Sequence, residues 1–195
     1  MEIETPHGPA RAHVRTGAAA RGTLVLGHGA GGSVSASDLT AAADAAHAHG
    51  LDVVLVEQPY RVAGRRSAAP ARQLDAAWLA VIAALEAAGP LITGGRSSGA
   101  RVACRTAAAT GAAGVLCLAF PLESPRRTGP PVSRLSELDA VEVPTLVVQG
   151  ARDRFGTPPP GPRRTVVEVA GDHGLKADLP AVGRAVREWL EEVAR

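Results

Sequence analysis

Apolar positions along this chain follow two rhythms that take turns. Thr23-Leu24-Val25-Leu26, Leu51 to Val56, Leu91-Ile92-Thr93, Val115 to Phe120, Thr145 to Gln149 and Thr165 to Val169 are short, nearly unbroken apolar runs. These read as strands, and the β-branched run Leu51 to Val56 predicts one covered on both faces. Between them the spacing lengthens to three and four. Leu74, Trp78, Val81, Ile82 and Leu85 mark one face of a helix predicted from Ala71 to Ala88, ended by Gly89-Pro90. Ser37-Asp38 offers an N-cap to an Ala-rich helix running to His49, with Gly50 as its C′ stop. Another helix follows Ser97 to about Thr110. The last runs from Leu179 to Ala194, with Val182, Val186, Trp189 and Leu190 facing inward. Ahead of these, Ile3 to Val14 reads as a polar hairpin turning at His7-Gly8-Pro9. Strand and helix alternate from Thr23 onward, which predicts an α/β fold: a mainly parallel sheet flanked by helices.

Two stretches break the alternation. Phe120 to Pro144 is Pro- and Arg-rich, with a short helical patch near Leu135 to Leu138. Gly156-Thr157-Pro158-Pro159-Pro160-Gly161-Pro162 cannot be a helix interior. Both follow strands, where ligands collect in open α/β sheets. No insertion is long enough to form a cap, so the expectation is one domain over 1–195 with an open site.

Composition narrows the partners. Hydrophobic residues make up 46% of the chain and aromatics only 3%, so the core must be built from Ala, Val and Leu. The net charge is +2, and Lys176 is the only lysine. The pairs Arg65-Arg66, Arg126-Arg127 and Arg163-Arg164 are scattered without interleaved aromatics, which argues against a nucleic-acid surface. No run is long enough to span a bilayer and no leader precedes the first strand, so a cytoplasmic protein is expected, monomer or homodimer. Cys104 and Cys117 then read as buried free thiols. His47 and His49 stand two apart and cannot share a helical face, so no metal site is expected; no cofactor is expected either.

Chemistry concentrates in Gly95-Arg96-Ser97-Ser98-Gly99, a G-x-S-x-G between a predicted strand and a predicted helix. Such an elbow strains the serine backbone, exposes its Oγ, and needs small residues two positions either side. A serine hydroxyl requires a base, and the base an orienting group. His173, in Gly171-Asp172-His173-Gly174 between the last strand and last helix, is the candidate base. Asp153, at the end of the preceding strand, is the candidate orienter. Glu123 is its rival, and Asp172 suits a capping role. Gly27-His28-Gly29-Ala30-Gly31-Gly32 can present a backbone N–H, that of Ala30, to an oxyanion beside the N–H of Ser98. His28 reads as structural, bonding loop backbone. Tyr60, Arg61 and Arg96 are candidate substrate contacts, with Arg154 a further cation that could receive a carboxylate.

The same glycine loop also fits G-x-G-x-x-G, with Glu57 at the end of the next strand in a ribose-binding position. NAD(P) binding is therefore one alternative, and a non-catalytic binding scaffold another. The first leaves Ser97, Asp153 and His173 unexplained, and His28 would crowd a pyrophosphate turn.

GHGAGG at Gly27 to Gly32, EQPYR at Glu57 to Arg61, GGRSSGARVA at Gly94 to Ala103, PTLVVQGARDRFG at Pro144 to Gly156 and GDHGLK at Gly171 to Lys176 occur in this order along the chain. In these segments the sequence resembles small bacterial α/β-hydrolases of the dienelactone hydrolase kind. The resemblance implies an α/β-hydrolase fold without a cap, first strands that form the N-terminal hairpin, a Ser97-Asp153-His173 triad, and hydrolysis of a small-molecule acyl substrate. It departs from relatives in three places. Ser98 stands where Met often follows the serine, Gly174-Leu175 where Ser-Phe often follows the histidine, and the Pro158–Pro162 loop where a helix is expected.

Overall fold

The computed structural model describes residues 1–17, 19–124 and 128–193; Arg126-Arg127 and Ala194 lie outside these. An eight-stranded sheet forms the centre of the molecule. In chain order its strands are β1 (Glu2–Ile3), β2 (Ala10–Arg15), β3 (Thr23–Gly27), β4 (Asp52–Glu57), β5 (Leu91–Arg96) and β6 (Gly114–Leu118). A small separate pair, β7 (Glu123–Ser124) and β8 (Val132–Ser133), precedes β9 (Thr145–Gly150) and β10 (Arg164–Val169). The spatial order is β1-β2-β4-β3-β5-β6-β9-β10. β1 and β2 are antiparallel and turn at Gly8, whose φ is +97°. β2 joins β4 antiparallel, and from β4 to β10 every pairing is parallel.

Alternation along the parallel strands explains the layers. Leu24 and Leu26 of β3 pack on one face with α1 (Ser37–Ala48) and α6 (Leu179–Val193). Val25 points the other way, against Leu74, Trp78 and Val81 of α3 (Ala71–Ala84) and Val102 of α4 (Ser98–Thr110). Burial on both faces is why these strands are unbroken apolar runs. Two short helices, α2 (Pro59–Val62) and α5 (Leu135–Asp139), complete the elements.

Three boundaries differ from the sequence expectation. α1 begins at Ser37 with Ala36 as its N-cap, so Ser37 and Asp38 lie inside the first turn and make no cap bond. Asp38 is instead buried and engaged elsewhere. α3 stops at Ala84, four residues early. The buried Thr23 hydroxyl accepts from the Ala88 N–H at 2.9 Å and donates to the Ala88 carbonyl at 3.2 Å, which draws residue 88 out of any helix. α2 was unforeseen, although Pro59 at its first position is a recognised start signal. The Pro158–Pro162 segment carries no helix, as expected.

Taken over the parallel strands alone, the order reverses between β3 and β5, because the chain leaves β4 and crosses back over β3 to form β5. Ligands in such sheets bind outside the carboxyl ends at this switch point. The two loops that flank it are Gly27–Gly32 and the turn at Ser97.

Candidate active site

Ser97 sits between β5 and α4 with φ 52° and ψ −105°, a conformation side chains rarely adopt. Conformations of this kind cost about 1–3 kcal/mol and persist only where the surroundings enforce them. Here the Ser97 N–H donates to the Leu118 carbonyl at 2.9 Å, which fixes the turn to β6. The glycines two residues either side are sterically required. A Cβ on Gly95 or on Gly99 would collide with the carbonyl oxygen of Gly27, so larger residues would drive β3 and β5 apart.

A chain of hydrogen bonds starts at the Ser97 hydroxyl. His173 Nε2 lies 3.0 Å from Ser97 Oγ, and His173 Nδ1 lies 2.7 Å from Asp153 Oδ2. A carboxylate only accepts, so Nδ1 carries the proton and the Nε2 lone pair faces the hydroxyl. The Asp153 side chain is fully buried, and its other bonds hold it still. Oδ1 accepts the Phe155 N–H at 2.9 Å and Oδ2 accepts from Gln149 Nε2 at 2.8 Å. Gln149 Nε2 also lies within reach of the Phe120 and Gly156 carbonyls, so one buried amide knits the loop that carries Asp153 to the end of β6. Phe155 places its ring edge-on to the imidazole, with centroids 4.6 Å apart. Glu123 lies exposed in β7; its backbone N–H bonds the Phe155 carbonyl, but its side chain has no bond to His173.

On the other side of Ser97, the backbone of the glycine loop is tied by neutral groups. The Gln58 N–H donates to His28 Nε2 at 3.1 Å, so the proton of the ring is on Nδ1, which donates to the Gly29 carbonyl at 2.8 Å. The Gly32 N–H donates to the same carbonyl at 3.0 Å. A peptide unit is planar, so fixing the Gly29 C=O also fixes the N–H of Ala30, which points the opposite way. That N–H has no hydrogen-bond partner among the described residues. The Ser98 N–H opens α4 and, as a first-turn donor, has no intrahelical acceptor. Burial lowers the pKa of His28 below the usual 6.5 and keeps the ring neutral, as this bonding needs.

All three expected substrate contacts have partners within the protein. Tyr60 is buried, and its hydroxyl donates to the Ala30 carbonyl at 2.8 Å, so it braces the glycine loop from behind. Arg96 lines a basin beside His173, but its donors are already engaged by the protein. Its Nε donates to Asp38 Oδ2 at 2.9 Å and its Nη2 donates to the His173 carbonyl at 2.8 Å. Strand alternation sends the Arg96 stem to the α1 side of β5, toward Asp38. Asp38 is 1% exposed; burial raises its pKa, and the Arg96 guanidinium opposes that shift. Arg61 is half-buried and donates to the Arg65 carbonyl at 3.2 Å. The sequence marks Asp38 only as a cap and does not single out Gln149 or Phe155. Asp38 acts through Arg96, far off in the chain, whereas Gln149 and Phe155 bond the nearby Asp153 but belong to no motif that marks them.

Glu57, which a dinucleotide reading needs free for a ribose, pairs with His13 at 3.0 Å and Arg11 at 3.4 Å on β2. Cys104 and Cys117 are buried free thiols with sulfurs 3.5 Å apart. Among the described residues no group of three or more His, Cys, Asp or Glu could hold a metal, and no helix is long and apolar enough to cross a membrane. A depression of about 540 Å³ lies against Thr145 and Arg164, at the opposite ends of β9 and β10 from Asp153.

The sequence profile of a family described as an alpha/beta hydrolase domain matches residues 20–191. The chain belongs to that family. Solved structures share the fold. One is a serine hydrolase without a lid from Xanthomonas campestris, with a TM-score of 0.75 and 20% identity, over 98% of this chain and 93% of that one. Est1E from Butyrivibrio proteoclasticus gives a TM-score of 0.79 at 16% identity over 100% and 99% of the two chains, and has also been solved with ferulic acid bound. A dienelactone hydrolase from Anabaena variabilis gives 0.75 at 16% identity over 100% and 97%. No curated protein sequence matches. The fold expectation of a capless α/β-hydrolase with a mainly parallel sheet, and the resemblance to small bacterial hydrolases, both hold.

Proposed function

We propose that this protein is a serine hydrolase that cleaves an ester-like bond, whether ester, lactone or thioester, through an acyl-enzyme on Ser97. The observation that carries the proposal is the unbroken sequence of bonds from Ser97 Oγ through His173 to buried Asp153, set on a strained elbow. Ser97 Oγ attacks the carbonyl carbon while His173 Nε2 takes its proton; Asp153 holds the ring and stabilises the imidazolium. Charge developing on the carbonyl oxygen meets the N–H groups of Ala30 and Ser98, whose directions are set before substrate arrives. His173 then delivers the proton to the leaving atom, the bond to the acyl carbon breaks, and water repeats the cycle in reverse to free Ser97. The dienelactone hydrolase among the structural relatives, and the ferulic acid bound to Est1E, support a carboxylic acyl group as the substrate.

A fluorophosphonate probe tests this directly. Mass spectrometry is expected to find the label on Ser97 of the intact protein and none on Ser97→Ala. The same variant is expected to lose about 10⁶-fold in kcat on 4-nitrophenyl butyrate. Labelling that persists in Ser97→Ala would overturn the reading, as would stabilisation by NAD(P) without ester turnover.

A further inference from the structure

An open basin of about 380 Å³ lies beside His173, lined by Arg96, Arg152, Arg154, Asp172, Gly174 and Lys176. Its cations come from two separate loops. Arg152 and Arg154 flank Asp153 at the end of β9, and Lys176 follows His173 by three residues. Arg154 lies with its guanidinium carbon 4.8 Å from the centre of the Phe155 ring, and that ring abuts the His173 imidazole, so the charge sits one ring away from the base. Arg152, Arg154 and Lys176 form no ion pair among the described residues. Arg96 is neutralised by Asp38, and the remaining acid, Asp172, bonds the Gly174 N–H. The basin therefore carries close to two uncompensated positive charges, the charge that a phosphate monoester brings with opposite sign.

The position of the basin says which half of a substrate it serves, an argument that rests on the function proposed above. In acylation the Ser97 oxygen bonds to the acyl carbon and the bond from that carbon to the leaving oxygen or sulfur breaks. The proton that His173 took from Ser97 goes to the leaving atom, so the leaving half must lie over His173. The oxyanion donors of Ala30 and Ser98 are on the other flank. We infer that this protein takes acyl esters or thioesters whose leaving half carries a phosphate, held by Arg152, Arg154 and Lys176. Guanidinium and ammonium groups suit phosphate oxygens, and several together favour a dianion over a monoanion.

Three esters with the same acyl group and similar phenol leaving groups test the inference: 2-(4-butyryloxyphenyl)ethyl phosphate, 3-(4-butyryloxyphenyl)propanoate and the neutral 2-(4-butyryloxyphenyl)ethanol. The phosphate is expected to exceed the neutral ester at least tenfold in kcat/KM, and the propanoate by clearly less. That advantage is expected to shrink with added salt, as it must for exposed charges. In the Arg152→Gln/Arg154→Gln/Lys176→Gln variant the phosphate-to-neutral ratio is expected to fall toward one. The rate of deacylation, measured after the leaving half has gone, is expected to be the same for all three esters. Equal kcat/KM for phosphate and neutral esters would overturn the inference. So would a propanoate as good as the phosphate, or a ratio that survives in the triple variant. If none of the esters is turned over, the serine-hydrolase reading fails instead. Calorimetric titration of 2-(4-hydroxyphenyl)ethyl phosphate into Ser97→Ala then still decides the phosphate site, with binding lost in the added triple substitution upholding it and no binding refuting it.

Discussion

The two flanks of Ser97 are held by different kinds of bond. On the base side, the ties are ionic or charge-assisted: Asp153 to His173, and Asp38 to Arg96, which in turn holds the His173 carbonyl. On the oxyanion side, every tie is neutral: His28 and Gly32 on the Gly29 carbonyl, and Tyr60 on that of Ala30. The division follows from what each flank has to do in the proposed reaction. The base side must stabilise a positive imidazolium and can use buried carboxylates for it. The oxyanion side must present N–H groups to a negative oxygen, where a fixed carboxylate would oppose the charge and backbone dipoles suffice. The two flanks should consequently fail differently when broken.

The largest difference is expected from Asp153→Asn. The amide can hold the ring but favours the wrong tautomer and cannot stabilise imidazolium, so kcat on 4-nitrophenyl butyrate should fall about 10⁴-fold with the fold intact. A loss under tenfold would remove Asp153 from its assigned role. Next is Asp38→Ala, which leaves the Arg96 guanidinium largely buried without its carboxylate. Breaking a buried pair costs roughly 3–5 kcal/mol; because Arg96 keeps some contact with water, the lower end is expected. Urea unfolding reads this cost, and Asp38→Leu/Arg96→Met should recover part of it. A double variant no more stable than Asp38→Ala would show that the ion pair is not the source. The smallest effect is expected on the neutral flank and appears as a dependence on pH. Burial lowers the pKa of His28 from 6.5, so between that lowered value and 6.5 the unfolded chain binds more protons than the folded one. Stability contributed by neutral His28 is therefore complete above pH 6.5 and is lost as pH falls through that window, by at most about 1.4 kcal/mol per pH unit. Urea titrations from pH 7.5 to 5 should show this slope in the natural protein and a flatter one in His28→Asn. Equal slopes would assign the proton to another group.

Much of the fold was legible because burial on both faces writes itself into the sequence as unbroken apolar runs, and Leu24 to Leu26 or Thr145 to Gln149 need no further context. The order of Ser97, Asp153 and His173 was legible for a related reason, since loops that follow successive parallel strands share one end of the sheet. Direction was not legible. Arg96 and Tyr60 stand next to motif residues in sequence yet turn their donors to the protein itself, and only bonds to the His173 and Ala30 carbonyls, far off in the chain, reveal it. Asp38 looked like a cap because capping and burial use the same residue type, and what separates them is Arg96, fifty-eight positions away. Where α3 ends was hidden likewise, because Ala88 is drawn off by the hydroxyl of Thr23 rather than by anything in its own neighbourhood.

The helix-free crossover between β9 and β10 has a consequence for how the last strand is delivered. Its prolines at 158, 159, 160 and 162 have φ already restricted in the unfolded chain, so ordering them forfeits little freedom. A flexible loop of the same length would let Asp153 and the strand that leads to His173 wander relative to each other before docking. The restricted prolines instead lower the entropy cost of holding the aspartate and histidine arms at their native spacing around the serine.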